Sequence, residues 1–528
     1  MKKSIIKVVF VALFAFILYY LALPAINPTS IGFWVYLGVV LLVGAFANIV
    51  DKVDQKGKVI GSIKVAVILF GVMGVIFGGI IITNFFLSPV FNSKRFAHRI
   101  EVNKEGDFYK DVAQVDFSKV PLLDKDSSQK LGDRVMGQMP ELVSQFYVSN
   151  LYTHINYNDS IVRVTPLEYA SFFKYLSNHK EGIKGYITVN SVDGSSNLVK
   201  LDKGMKYMDS AILNEDLNRK LRFSYPTKIF GAKSFEIDNE GNPYWIVPTI
   251  KYVGVELCEE ITGVVILNPI TGESKYYKVG DIPTWVDHVY SADLIIEQVD
   301  DWGTYTKGFL NSIFGQKNVT NTTEGYNYLV MNDDVYLYTG ITSVSSDESN
   351  LGFILTNMRT KETKFYAVPG AEEYSAMASA KGQVQQMNYT STFPLLINLN
   401  GRATYLISLK DKAGLVKMYA FVDVSDYQKV VVTDASKGIV AAANNYLSNV
   451  ELAGKEDNLV TKEVTVKSIK DVVIDGNTYY YITDTENNKY KVAITVNKEL
   501  LPFVESGSNI KISYRLVKDV IELVKVNG

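Results

Sequence analysis

Between Val8 and Val50 the chain carries no Asp, Glu, Lys or Arg, and none recurs between Val65 and Ser93. Three apolar runs stand out there: Ser4–Leu23, Ile31–Val50 and Val65–Leu87. Each approaches the ~20 residues that carry a helix across a bilayer core. A water-facing helix needs a polar stripe, so the pattern predicts three spanning helices within residues 1–90. A cleaved signal sequence is the competing reading of the first run, because Lys2, Lys3 and Lys7 precede it. No small-x-small site follows before Pro24, however, and two further runs come after.

Lysines set the expected orientation. Lys2, Lys3 and Lys7 flank the first run, Pro24–Ser30 carries no charge, and the next loop holds Lys52, Lys56, Lys58 and Lys64 against Asp51 and Asp54. The positive-inside rule places the N-terminus and that loop in the cytoplasm, so residues after about 90 are expected outside. Tyr19, Tyr20, Phe33, Trp34, Tyr36, Phe85 and Phe86 fall where the outer interface would lie. Lys94, Arg95 and Arg99 oppose this orientation, but large translocated domains often ignore the charge rule. Residues 1–88 carry a net +5, which leaves −7 for the remainder of a chain of net −2. Gly74 and Gly78 form a small-xxx-small spacing, with Gly71 one turn earlier, suited to close helix packing either among the spans of one chain or in self-association. With no ionisable residue inside the runs, an ion or proton path is not expected.

The remainder is rich in material for β-structured cores, with 34 Tyr and 26 Phe in the whole chain. One cysteine, Cys258, excludes intrachain disulfides and Cys-based metal centres. The near-neutral charge argues against a general polyanion binder. Residues 91–224 read as an α+β domain. A broken helix is expected between Asp126 and Asn150, interrupted by Gly137 and Pro140. A second is expected to start at Thr165-Pro166-Leu167-Glu168, with Tyr169, Phe172, Phe173 and Leu176 on one face.

Residues 225–450 repeat. GVVILNPITGESKYYKVGD at 263–281 matches GFILTNMRTKETKFYAVPG at 352–370 through Gly263/Gly352, Asn268/Asn357, Thr271/Thr360, Glu273/Glu362, Lys275/Lys364, Tyr277/Tyr366 and Val279/Val368. A second signature, Ile237-x3-Gly241-x3-Trp245, recurs as Ile397-x3-Gly401-x3-Tyr405, with a degraded copy near Asp333–Thr339. Each reads as a β-hairpin. Helical stretches follow at Ser291–Val299, Glu372–Gln383 and Lys437–Leu447, giving about three units of strands and then a helix. The order Gly-Asn-Pro-Tyr-Trp followed by Asn268-Pro269-Ile270-Thr271-Gly272 resembles PepSY-type domains, whose turn usually opens on Asp rather than Asn. That resemblance implies an extracytoplasmic binding or inhibitory role and carries over no catalytic residue. The whole chain also resembles uncharacterised bacterial multi-pass membrane proteins sometimes labelled cell-shape-determining.

Residues 458–528 read as three strands, a helix over Val496–Glu505 and two more strands, the order of an OB-fold-like barrel. Tyr479, Tyr481, Tyr490 and Tyr514 supply aromatics, but ten basic against nine acidic residues give little attraction for phosphates, so nucleic acid is not the expected partner.

Catalytic and metal motifs are missing. His98, His154, His179 and His288 show no metal spacing, and the acidic neighbours of Cys258 oppose thiolate formation. Trp285, Trp302, Tyr305 and Phe309 cluster in sequence, as core between two repeats or as partner-contact aromatics. The expectation is a membrane-anchored α+β chain, not an enzyme and without cofactor, whose outer arm binds or positions an envelope protein or cell-wall component. Competing readings are a regulator of an extracytoplasmic peptidase and a cytoplasmic arm whose barrel meets nucleic acid.

Overall fold

A computed structural model describes residues 2–49, 63–158, 160–331, 333–344, 346–454, 460–474, 477–514 and 521–527. The loop bearing Lys52, Lys56 and Lys58 and the Asp475-Gly476 turn lie outside the described residues. The apolar runs form helices α1 (Lys2–Ala22), α2 (Ile31–Ile49) and α3 (Ile63–Leu87). Two of them, over Ile5–Ala22 and Val67–Leu87, are long and apolar enough to cross a membrane; the apolar stretch of α2, Ile31–Ala47, is shorter. Their side chains stand open, with Phe16 60%, Val75 77% and Ile81 69% exposed. Water would penalise such a surface and a hydrocarbon medium would not.

The chain divides into two compact units, Met1–Ser436 and Lys437–Gly528. The first is built from small antiparallel sheets. Each repeat is a four-strand meander: Ser234–Ile237, Pro243–Val253, Cys258–Leu267 and Ser274–Lys278; then Asn327–Met331, Asp334–Ser343, Ser346–Asn357 and Thr363–Tyr366; then Leu395–Leu399, Arg402–Lys410, Val416–Asp423 and Val430–Asp434. Helices follow at Ala292–Tyr305, Glu373–Gly382 and Ile439–Gly454, close to their expected places.

The shared letters of the repeat have a common physical cause. The Asn268 side chain accepts the N–H groups of Ile270 and Thr271 at 2.9 and 3.1 Å, and that of Asn357 accepts those of Arg359 and Thr360 at 2.9 Å each. Thr271 and Thr360 each accept the N–H two residues on. A Cβ on Gly263 would stand 2.1 Å from the carbonyl oxygen of Tyr277, and one on Gly352 2.2 Å from that of Tyr366. Only glycine lets the two strands approach there.

The same device identifies a fourth copy that the sequence reading missed. Thr153–Tyr157, Ser160–Tyr169, Ile183–Asn190 and Ser196–Met205 make the same meander. Asn190 accepts the N–H groups of Val192 and Asp193 at 2.8 and 3.3 Å, and a Cβ on Gly185 would stand 2.8 Å from the carbonyl oxygen of Val199. Gly185, Asn190 and Val199 thus match Gly263, Asn268 and Tyr277 position for position. In the last copy Asp423 takes the asparagine's place, accepting from Ser425 and Asp426. We number the copies one to four from this one.

Two local expectations are corrected. Thr165-Pro166-Leu167-Glu168 does not start a helix. It completes the buried strand Ser160–Tyr169, where the Thr165 hydroxyl donates to the Ser149 carbonyl at 2.9 Å instead of capping. The helix begins at Phe172 behind Ser171, and only Tyr175 is buried in it, while Phe172, Phe173 and Leu176 face outward. In the second unit five strands, Val460–Ile474, Asn477–Asp484, Lys489–Ala493, Asn509–Tyr514 and Ile521–Asn527, close in the order first, second, third, fifth, fourth. The helix expected over Val496–Glu505 reduces to two short turns, Ile494–Val496 and Leu501–Phe503, because Pro502 cannot continue a helical ladder. Tyr490 is 1% exposed and belongs to the barrel core, so it offers no ring to a ligand.

Candidate functional site

Repeat two and the helix just before it, Leu217–Ser224, grip the ends of the apolar helices. Beyond the C-terminal end of α1, the Leu23 carbonyl accepts from Arg222 Nε at 2.9 Å, while Arg219 lies 4.2 Å over the Tyr20 ring. Ile26 donates its N–H to the Pro226 carbonyl at 2.8 Å. At the N-terminal end of α2, Glu256 accepts the Ile31 N–H at 3.0 Å, so a carboxylate from a hairpin turn caps the helix. Near the C-terminal end of α3, Asn84 donates to the Val255 carbonyl and accepts the Val255 N–H, both at 2.9 Å. Arg99, which counted against the expected orientation, is 5% exposed and ion-paired with Glu297 at 2.6 Å and with Asp301. Its charge is spent inside the fold.

A groove of about 810 Å³ opens where the sheet of repeat one meets the turns of repeat two. Tyr186 ties the two together, donating to the Gly241 carbonyl at 2.8 Å, and the Pro269 carbonyl accepts the N–H groups of Lys206 and Tyr207 at 2.8 and 3.0 Å. Asp238 holds the rim turn by accepting from the N–H groups of Glu240 and Asn242. The walls are therefore fixed. Asn197, Thr188, Asn242 and Tyr157 line the groove, and Lys200 and Lys203 balance Asp202 and Glu240. Neither His nor Cys lines it among the described residues. Such a surface can hydrogen-bond a neutral, hydroxyl- or amide-rich chain.

The residues singled out in the sequence do not form one site. Trp285 packs 5.1 Å from Tyr244 and Trp302 lies under Lys104 at 5.0 Å, both against the core between repeats two and three. Tyr305 stacks on Phe309 at 6.5 Å and meets Phe96 edge-on. The rings of Trp285, Trp302, Tyr305 and Phe309 are all partly exposed, and Trp302 also lines a small cavity with Lys104 and Phe365. Gly71, Gly74 and Gly78 have open space where a Cβ would stand, whereas Gly38 of α2 meets Met73 and Phe77 of α3. The glycines of α3 are not what brings the helices together within the chain. Cys258 is buried, which pushes its thiol up and keeps it protonated. Among the described residues no group of His, Cys, Asp and Glu could hold a metal ion.

What sequence spacing could not reveal is a buried polar knot. Glu236, fully buried, accepts the N–H groups of Asp287 and His288 at 2.8 and 3.2 Å and the Ser234 hydroxyl at 2.7 Å. Burial pushes its carboxyl up to about 7, and burial with the Glu236 charge pushes Asp287 well up. Burial also lowers His288 to about 4 and His154 well below the usual imidazole range. Glu236 titrates from 4.5 in an unfolded chain. The folded state therefore holds the proton longer, and this residue's contribution to stability falls as pH rises from 4.5 to about 7. The neutral histidines act oppositely below 6.5. Glu236→Gln removes the first effect and, with it, the charge that helps push Asp287 up. Its unfolding free energy relative to the native chain should rise by about 2 kcal/mol between pH 5 and pH 7.5, read by denaturant titration at both pH values. A pH-independent difference would contradict this assignment.

Comparison with protein-family models and with curated proteins finds no match to this chain.

Proposed function

We propose that this is a non-enzymatic, membrane-anchored envelope protein whose outer arm holds a neutral cell-wall polymer near the bilayer. The observation that carries the reading is the grip of repeat two and of the preceding helix Leu217–Ser224 on the Leu23–Ile31 connection and on Asn84. The C-terminal end of α1, the N-terminal end of α2 and the C-terminal end of α3 are thereby all held by the segment 219–256, which supports three crossings followed by an arm on one side. The lysine pattern and the neutralised Arg99 support the same orientation. The rigid, charge-balanced groove supports a hydroxyl- or amide-rich ligand, and the burial of Glu236 and Asp287 leaves those carboxyls no access to a substrate. We read the C-terminal barrel as OB-like from its strand order, in a protein-contact or structural role.

Full-length protein in nonionic detergent should co-sediment with insoluble cell-wall material. Asn197→Trp, which fills the groove from an exposed strand position, should lower the bound fraction about tenfold. Equal sedimentation of the two proteins, or none of the native one, would refute the groove as the binding site.

A further inference from the structure

The fourth copy of the repeat exposes a substitution that packing does not explain. The residue pairing with the position just before the turn Asn or Asp is Trp245 in repeat two, Leu337 in repeat three and Tyr405 in repeat four. Their cross-strand neighbours are Phe235, Tyr328 and Leu396, so each pair is apolar or aromatic and lies in a core. In repeat one the same pair is Arg163 and His154. Both are buried, at 7% and 2% exposure. Among the described residues Arg163 has no ion pair, and its Nε and both ring nitrogens of His154 are buried without a hydrogen-bond partner. Burying an unpaired guanidinium in a core position costs several kcal/mol, and a departure of this kind from the pattern of its own repeats marks a functional position.

Arg163 stands between two cavities of about 430 and 310 Å³ that share Tyr152, Tyr326 and Tyr328 as walls. Phe393 and Leu406 line the first and Met358 the second. Other charges around them are engaged or exposed: Asp124 is held by Lys410 and Ser127, Lys233 pairs with Asp209 at 2.6 Å, and Lys125 and Asp293 are exposed. One unpaired guanidinium among tyrosine rings and apolar side chains matches one negative charge on an apolar body. A carboxylate meets the planar fork with two parallel hydrogen bonds, whereas a phosphate dianion would call for a second cation.

We propose that the Arg163 cavity binds a monocarboxylate with an apolar body, a site separate from the polar groove. Equilibrium dialysis of the full chain in nonionic detergent, against detergent alone, tests it with benzoate and hexanoate, their alcohols, and inorganic phosphate as probes. Saturable binding of at least one carboxylate is expected, about tenfold tighter than its alcohol and than phosphate, since a charged hydrogen bond of 1.5–3 kcal/mol corresponds to roughly tenfold or more. Arg163→Met, which keeps the stem and removes the charge, should abolish that preference. Asn197→Trp should leave it intact, which separates this site from the groove. Saturation by neither carboxylate, equal binding of acid and alcohol, phosphate binding as tightly as the carboxylate, or an unchanged preference in a folded Arg163→Met protein would overturn the proposal. The native-chain comparison of acid with alcohol decides the matter even if the variant does not fold.

Discussion

Arg222→Ala should loosen the arm from its anchor. Arg222 is 8% exposed and donates through Nη1 to the Lys228 carbonyl at 2.5 Å as well as through Nε to Leu23, with its guanidinium 4.9 Å from the Phe230 ring centre. Truncation leaves partly buried carbonyls on both sides of the junction without this donor. Charged hydrogen bonds of about 1.5–3 kcal/mol each imply a local loss of about 3–5 kcal/mol. In hydrogen exchange of the full chain in detergent, the amides of 23–30 and 225–230 should open about a hundredfold more often or faster still, while the barrel's amides keep their protection. Arg222→Lys should recover part of the loss, because an ammonium can serve one or two of these carbonyls but cannot span the fork. Unchanged exchange in Arg222→Ala would mean that the junction is held by other contacts.

Trp245→Ala should be the most damaging single truncation in the repeats. Trp245 is fully buried, meets Phe235 edge-on at 5.3 Å and donates from Nε1 to the Tyr207 carbonyl at 3.0 Å. It sits in a core shared by repeats one and two, with Tyr186, Ile187 and Leu267. Removing the ring leaves a cavity and an unpaired carbonyl, a loss of about 3–5 kcal/mol. In repeat four the equivalent Tyr405 repeats the design, its hydroxyl donating to the Ala371 carbonyl at 3.0 Å. The damage should propagate to repeat one, since the groove depends on the same contact region. Denaturant unfolding that loses under 1 kcal/mol, or a groove that still binds at native strength, would contradict this placement.

The parts of the fold that local chemistry dictates were legible in the residues. Charge-free runs became helices, and Asn268 and Asn357 with their paired glycines became identical turns. Repeat one escaped because its version of the signature, Gly185 to Val199, keeps the glycine and the asparagine but replaces Thr271 with Asp193 and the tyrosine with Val199. Only the hydrogen bonds show that Asp193 does the threonine's work, accepting the N–H of Ser195 at 2.8 Å. The Thr165 capping signature misled because tertiary pairing with Ile187 overrode a weak local preference. The site was less legible. Arg163 and His154 lie among ordinary strand residues, and their isolation is visible only once the cross-strand pairs of all four copies are compared.

Cysteine labelling on Lys200→Cys measures the side of the membrane directly. Lys200 is exposed in the groove, while the native Cys258 is buried. With a membrane-impermeant maleimide on intact spheroplasts, an exported arm labels as fast as it does after lysis. Labelling that appears only after lysis would place the arm in the cytoplasm and contradict the anchored outer arm.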